Sequence, residues 1–211
     1  MFKNILAIGA HFDDVELGAG GSLAKFAKEG AKVYKLTLTD NVTQFDAFSI
    51  NVDEHSSKKY SEESCKVLGI TELDGFELQQ CNHLKYSPEL MQVIEKFILN
   101  NNIDTVFIHY SDDVNTDHKA ASEICKTAAR YCKNILMYSS NGYLPEHQFC
   151  PTFFIDITET MDLKKKALSC YKGDHNRFNK LFGIIYKKNE VYGYACQCEY
   201  AEAFVPLKIL L

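Results

Sequence analysis

The chain has little of what marks several large classes of protein. No apolar run approaches the ~20 residues of a membrane-spanning helix, so no membrane span is expected. Acids outnumber lysine and arginine, the formal charge is −5, and no basic stripe breaks that balance. Binding a phosphate backbone needs such a stripe, which argues against a nucleic-acid partner. The two short basic runs, Lys164-Lys165-Lys166 and Lys187-Lys188, read as solvated helix faces. With only four prolines there is no proline-rich linker, and no repeat or low-complexity tract divides the sequence. The eight cysteines include no Cys-x-x-Cys pair, so neither a structural zinc site nor a disulfide framework is suggested. They read as thiols of a reducing compartment, mostly buried as small apolar residues. Met1-Phe2-Lys3-Asn4 leads straight into a strand-like run without a secretory signal, and the expected location is cytoplasmic.

What remains is a chain of 211 residues that suits one domain with a substantial core. Its periodicity alternates between strand and helix, which predicts an α/β fold. Strands are expected at 4–9, 32–39, 72–76, 104–109 and 134–139, with another at 152–157. Helices are expected at 22–29, 57–68, 88–100, about 116–131, 158–171 and 176–187. Ser87-Pro88-Glu89 is a strong helix start, with a serine cap, a proline in the first turn and an acid at the positive end. Gly30 and Gly69 are expected to end the helices before them. Residues 40–55 read as a long polar loop, in which Phe45 and Phe48 are candidates to cover the face of a ligand. The tail, 200–211, reads as extended, and Pro206 should confine it to an edge or a loop. The predicted architecture is a Rossmann-like doubly wound sheet, mostly parallel, of strand order 3-2-1-4-5 with extra C-terminal strands.

Two stretches resist a purely structural reading. Ala10-His11-Phe12-Asp13-Asp14-Val15-Glu16-Leu17-Gly18 follows the first strand, where three ionisable groups in four positions cost free energy unless something compensates. Tyr110-Ser111-Asp112-Asp113-Val114-Asn115-Thr116-Asp117-His118 follows the fourth. In the predicted order, strands one and four are neighbours whose connections leave in opposite directions, and ligands bind in that crevice. Catalytic zinc takes three ligands from histidine and carboxylate and keeps a place for water. His11, Asp14 and His118 are therefore candidate metal ligands. Asp13, beside the metal, is the candidate base for a water whose pKa falls to about 7 on coordination. Two histidines and one carboxylate also suit ferrous iron. Asp117 is expected as a helix-start acid or as support for a ligand. Asp112 and Asp40 are further acids that could support the site or face substrate. Of the other histidines, His55, His83, His147 and His175 read as structural or solvated, and His109 is the strongest exception.

These residues resemble a known family. Ala10-His11-Phe12-Asp13-Asp14, with Glu16-Leu17-Gly18, resembles the Ala-His-Pro-Asp-Asp signature of the PIG-L/LmbE-like zinc-dependent N-deacetylases. Asn115-x-Asp117-His118 resembles their second motif. Leu68-Gly69-Ile70, Ile155 to Thr158 and Tyr200-Ala201-Glu202-Ala203-Phe204 extend the likeness over nearly the whole chain. The resemblance implies removal of an acyl group, usually acetyl, from an amino sugar or its conjugate. It implies His11, Asp14 and His118 as zinc ligands and Asp13 as base and then acid. Phe12 stands where the signature has proline. Asn115 stands where several relatives have a carbonyl-polarising histidine and is the candidate to replace it. Tyr171-Lys172-Gly173-Asp174 departs from the relatives' late motif, and their substrate arginine has no counterpart.

Three other readings compete. Gly18-x-Gly20-Gly21 with Asp40 mimics a dinucleotide fingerprint, but Leu23 occupies the third glycine's place and Asp13 and Asp14 would oppose a pyrophosphate. A metal-binding module without turnover, or an amidase acting on a non-sugar or thiol conjugate, keeps the same residues. Association into a homo-oligomer is left open.

Overall fold

The apolar run that follows Asn4 is buried on both faces, which is why it becomes the centre of the sheet. A computed structural model describes residues 2–45, 50–171 and 175–210, with the side chains at 45, 50 and 175–180 not included. In β1 (Asn4–Gly9), Leu6 and Ile8 point into one apolar cluster and Ile5 and Ala7 into another. β1 pairs in parallel with β2 (Lys32–Thr37) on one side and, across the other, with the strand at Thr105–His109. The first cluster receives the helices Pro88–Asn100 and Thr116–Ala128, and the second receives Asp14–Lys28, Glu54–Leu68 and Met161–Leu168. A parallel sheet with helices on both faces results, as its near-continuous apolar strands require.

In chain order the remaining elements are α1 (Asp14–Lys28), β3 (Thr43–Phe45), β4 (Ile50–Val52), α2 (Glu54–Leu68), β5 (Thr71–Glu72), α3 (Pro88–Asn100), β6 (Thr105–His109), α4 (Thr116–Ala128), β7 (Asn134–Tyr138), β8 (Phe153–Asp156), α5 (Met161–Leu168), α6 (His175–Ala195) and β9 (Ala201–Lys208). The main sheet runs β5-β2-β1-β6-β7-β9-β8. Its first five strands are the predicted 3-2-1-4-5 order, and the two C-terminal strands extend it antiparallel.

Several expectations are corrected. α1 begins at Asp14, not at residue 22, so Gly18, Gly20 and Gly21 lie within the helix. A Cβ on Gly18 would sit 2.1 Å from the Tyr138 ring and one on Gly21 2.7 Å from Ile157. Close packing against the sheet thus outweighs the low helix propensity of glycine. Residues 40–55 are not all loop: β3 and β4 form a hairpin, and α2 starts at Glu54, capped by the Asp53 carboxylate, which accepts from the Ser56 amide at 2.8 Å. β5 is only two residues long, and the chain turns away at Gly75 with φ of 85°. Helix α6 extends to Ala195, beyond the expected 187. β9 is not at an edge but between β7 and β8. Pro206 is tolerated because β8 pairs only with Ala201–Phe204. At Pro206 the single partner is Leu136, beside a register shift at Ile135/Leu136. Only Cys65, Cys81, Cys125 and Cys132 are buried, while Cys150 and Cys196 are exposed. Phe48, the side chain of Phe45 and Lys172, Gly173 and Asp174 lie outside the described residues.

Lys164 is the largest departure among the basic runs. It is wholly buried and pairs with Glu202 at 2.6 Å. Its ammonium also donates to the Leu17 carbonyl at 2.8 Å, while the Glu202 carboxylate accepts from the amides of Gly21 (3.0 Å) and Ser22 (2.7 Å). The ion pair therefore grips the middle of α1 at the carbonyl and the amide that a regular helical ladder would join to each other. Lys188 is half-buried rather than solvated.

Candidate metal centre and its cavity

β1 and β6 end side by side, and α1 and α4 begin just beyond them, so the two acidic stretches meet at the positive ends of two helices. Asp14 is the hub. Its carboxylate accepts from the His11 amide at 2.7 Å, closing the turn, and from the Ser140 hydroxyl at 2.9 Å. It lies 3.1 Å from His11 Nδ1, 3.2 Å from His118 Nε2 and 3.2 Å from His109 Nε2. Burial opposes its charge, but His118, His109 and His11 outweigh burial and hold the carboxyl well below the usual carboxylate range.

The two imidazoles face each other, His118 Nε2 to His11 Nδ1 at 3.2 Å. Their outer nitrogens are each fixed by a carboxylate: His118 Nδ1 by Asp113 at 3.0 Å and His11 Nε2 by Asp117 at 3.3 Å. Such outer partners fix the ring orientation and turn the remaining nitrogen inward, as metal-ligating histidines require. Burial disfavours an imidazolium at His118, but Asp14 and Asp113 overcome it and push the pKa up to about 9. His11 is raised likewise, against burial, by Asp14 and Asp117. Two inward nitrogens and a carboxylate within hydrogen-bond distance thus concentrate negative potential on one point. This donor set fits a divalent cation.

His109 supports rather than competes. Its Nε2 accepts from the Ala10 amide at 3.0 Å, and its ring stacks on His118 with centroids 4.0 Å apart. Burial, and then the charge on His118, lower its pKa to about 4, so it stays neutral. Asp117 also accepts from the amides of Asn82 (2.6 Å) and Leu84 (3.1 Å), which anchors that loop to the site. Asp113 is bound by the Asn141 side-chain amide at 2.9 Å.

Of the residues singled out from sequence, His11, Asp13, Asp14, Asn115 and His118 line one cavity of about 480 Å³. Asp117 stands directly behind His11. Asn115 caps α4, its Oδ1 accepting from Asp117 N at 2.8 Å and His118 N at 3.3 Å, which leaves its amide nitrogen for a ligand. Asp40 and Asp112 are not in this lining. Asp40 accepts from the amides of Val42 (3.0 Å) and Cys81 (2.9 Å) and so holds the Cys81 loop in place. Asp112 accepts from the His147 amide and lies on the wall of a neighbouring cavity.

Sequence reasoning missed the roles of Asp113, Ser140, Asn141 and Lys35. Lys35 is buried within β2 and pairs with Glu16 at 2.7 Å. Burial works against its charge, but Glu16 and Glu72 raise its pKa well above the ordinary lysine value. Lys35 Nζ (2.6 Å) and the Tyr171 hydroxyl (2.5 Å) both donate to the carbonyl of Phe12. The turn that lacks the signature proline is thus held by two hydrogen bonds. A lysine amid buried strand positions was the available signal.

An α/β sheet with a histidine–carboxylate cluster at its switch point defines the class: a Rossmann-like protein with a candidate hydrolytic metal centre. The chain belongs to the PIG-L family, whose model, described as GlcNAc-PI de-N-acetylase, matches residues 6–129. It is 30% identical over 178 residues to the Escherichia coli K12 protein described as uncharacterized deacetylase YaiS, covering 81% of this chain and 91% of that one. The N,N'-diacetylchitobiose deacetylase of Pyrococcus horikoshii shares the fold at a TM-score of 0.79 and 21% identity, over 98% of this chain and 84% of that one. GalB of Pseudomonas putida KT2440, a 4-carboxy-2-hydroxymuconate hydratase, shares it at 0.82 and 16% identity, over 99% and 98% of the two chains. Because the fold carries both a deacetylase and a hydratase, the reaction must be argued from the site. Among the described residues no helix is long and apolar enough to cross a membrane.

Proposed function

We propose that the protein is a metal-dependent N-deacetylase that converts an N-acetylated amino sugar or sugar conjugate and water to acetate and the free amine. The observation that carries this reading is the convergence of His11, Asp14 and His118 on a cavity whose wall also holds Asp13. Membership of the PIG-L family and the deacetylase relatives support it. When held by those three side chains, a divalent cation, zinc in the first instance or ferrous iron, supplies a Lewis acid and lowers the pKa of a water to about 7.

The chain's own residues do the rest. Asp13 takes a proton from the attacking water and returns it to the departing nitrogen, as a positioned carboxylate can. The amide nitrogen of Asn115 donates to the acyl oxygen, where negative charge develops. Asp113 and Asp117 accept from the outer nitrogens and keep both imidazoles aimed inward, where a bound cation would take the place of the inner proton. Leu17, Leu181 and Ile184 give the cavity an apolar side for the acetyl methyl and the sugar face.

The test is acetate release from a panel of N-acetyl sugars, nucleotide-linked N-acetyl sugars and acetylated thiol conjugates, with zinc and with ferrous iron. Metal-dependent release from a sugar substrate is expected. Release from a thiol conjugate alone would move the reading to the amidase alternative, and full activity in metal-free protein would overturn the mechanism.

A further inference from the structure

A carboxylate that moves protons must point steadily at the reacting atoms, and for Asp13 two peptide planes set that direction. The peptide after Asp13 is fixed by α1, because the Asp13 carbonyl accepts from the Leu17 amide at 3.0 Å. Asp13 caps that helix, with φ of −100° and ψ of −10°, yet its carboxylate makes no capping hydrogen bond. The helix therefore holds the backbone of Asp13 on one side and leaves the side chain to the cavity it lines. The peptide before Asp13 is a rigid plane that carries the Phe12 carbonyl. That carbonyl accepts from Lys35 Nζ at 2.6 Å and from the Tyr171 hydroxyl at 2.5 Å. His11, by contrast, is held separately, its amide by Asp14 at 2.7 Å and its ring by Asp117 at 3.3 Å. The residue whose aim depends on the Phe12 carbonyl is Asp13.

Both donors are themselves anchored. Lys35 Nζ also donates to Glu16 of α1 at 2.7 Å and to the Ser61 hydroxyl of α2 at 2.5 Å. Ser61 in turn donates to Glu72 of β5 at 2.5 Å, and Ser64 donates to Glu16 at 2.8 Å. The ammonium is thus fixed against the sheet and two helices at once. Tyr171 packs with Phe12, Leu17 and Leu168 in one apolar cluster, so it grips both the side chain and the carbonyl of residue 12. Burial, and then Glu16, push its pKa well above the ordinary tyrosine value, so the hydroxyl keeps the proton it donates. A rotation of the Phe12–Asp13 peptide would leave a buried ammonium and a buried hydroxyl each short of an acceptor, which opposes it.

We propose that Lys35 and Tyr171 are positioning residues for Asp13: by pinning the Phe12 carbonyl they fix the peptide that aims its carboxylate. They do from outside the turn what a proline at residue 12 would do from within it by fixing φ. The consequence for turnover rests on the reading of Asp13 as the base; the tether rests on its own hydrogen bonds. The turn and the two imidazoles then have separate supports, Lys35 and Tyr171 for the one and Asp113 and Asp117 for the other.

The test follows acetate release from N-acetylglucosamine and N,N'-diacetylchitobiose by the zinc-loaded protein. Lys35→Met should lower kcat by about 10–100-fold, the range for a displaced reacting group, with KM and zinc affinity close to the parent's. Tyr171→Phe removes one donor and keeps the ion pairs, so it should lower kcat by about 3–10-fold; it carries the comparison if Lys35→Met does not fold. In an Asp13→Asn background either substitution should cost less than about twofold more, because nothing is left to position. A full multiplicative loss in that background would overturn the proposal, as would loss of zinc in step with kcat. Independently of turnover, the backbone amide resonance of Asp13, whose nitrogen is bonded to the Phe12 carbonyl carbon, should shift in both variants. An unmoved resonance would overturn the tether. A moved resonance in a protein that releases no acetate from any N-acetyl substrate would support the tether and overturn the deacetylase reading.

Discussion

The buried pair Lys164–Glu202 allows a sharp test of how α1 is held. Both side chains are inaccessible to solvent, so neither charge can be relieved by water when its partner is removed. Breaking such a pair costs about 3–5 kcal/mol, a large share of the ~5–15 kcal/mol that stabilises a typical domain. Lys164→Met should fall at the lower end, because Glu202 keeps the amides of Gly21 and Ser22. Glu202→Leu should fall at the upper end, because it strands an ammonium with only the Leu17 carbonyl and frees two helix amides. The double variant removes both charges and leaves the Leu17 carbonyl and the Gly21 amide to each other, as in a regular helix. It should therefore be more stable than either single variant by at least about 2 kcal/mol. Urea titration read by far-ultraviolet dichroism measures this. With a slope near 2–3 kcal/mol per M, each single variant should lose about 1–2 M of midpoint. A double variant no more stable than the worse single would refute the reasoning, since the two groups would then act independently.

Four further outcomes are expected. His11→Ala and His118→Ala should each abolish most zinc binding, measured by calorimetry or bound-metal analysis. Asp13→Asn should keep its metal yet lose hydrolysis by about 100-fold or more; parent-like turnover in that variant would remove Asp13 from the chemistry. Asp113→Asn weakens the support behind His118 Nδ1 and should reduce zinc affinity by about 10–100-fold. Gly18→Ala forces a methyl to within 2.1 Å of the Tyr138 ring and should lower stability by about 1–3 kcal/mol or more, seen as a drop in Tm.

The fold was readable where local pattern and global packing agree. The run after Asn4 and the run 104–109 are apolar on both faces, and only a central parallel strand accommodates that. Ser87 caps its helix as expected, accepting from the Leu90 amide at 3.1 Å, and Gly69 adopts φ of 73° at the end of α2. The start of α1 was hidden because glycine propensity is local, whereas the Tyr138 ring that demands glycine comes from a distant strand. The site was half readable for a similar reason. Placing His11, Asp14 and His118 together needed only the strand order and the crevice rule. Choosing Asp113 over Asp112 as the acid behind His118 needed the loop's own conformation, in which the Asn115 amide bonds Asp113 Oδ1 at 2.9 Å. Lys164 carried a usable signal: it shares a helical stripe with Met161, Ala167 and Leu168, all buried. A run of three lysines masked that stripe.

The place of β9 between β7 and β8 has a consequence for the order of synthesis. Every candidate metal ligand lies within the first 118 residues, and β7 is complete by Tyr138. The strand that covers the outer edge of β7, and the carboxylate that grips α1 from beneath, arrive only with Ala201–Lys208. Until that segment leaves the ribosome, β7 presents an unpaired edge open to pairing with other chains. Lys164 meanwhile has no counter-charge. The nascent chain thus carries all its ligands and their partners well before the last strand, which closes the sheet and fixes the middle of α1 at the same moment.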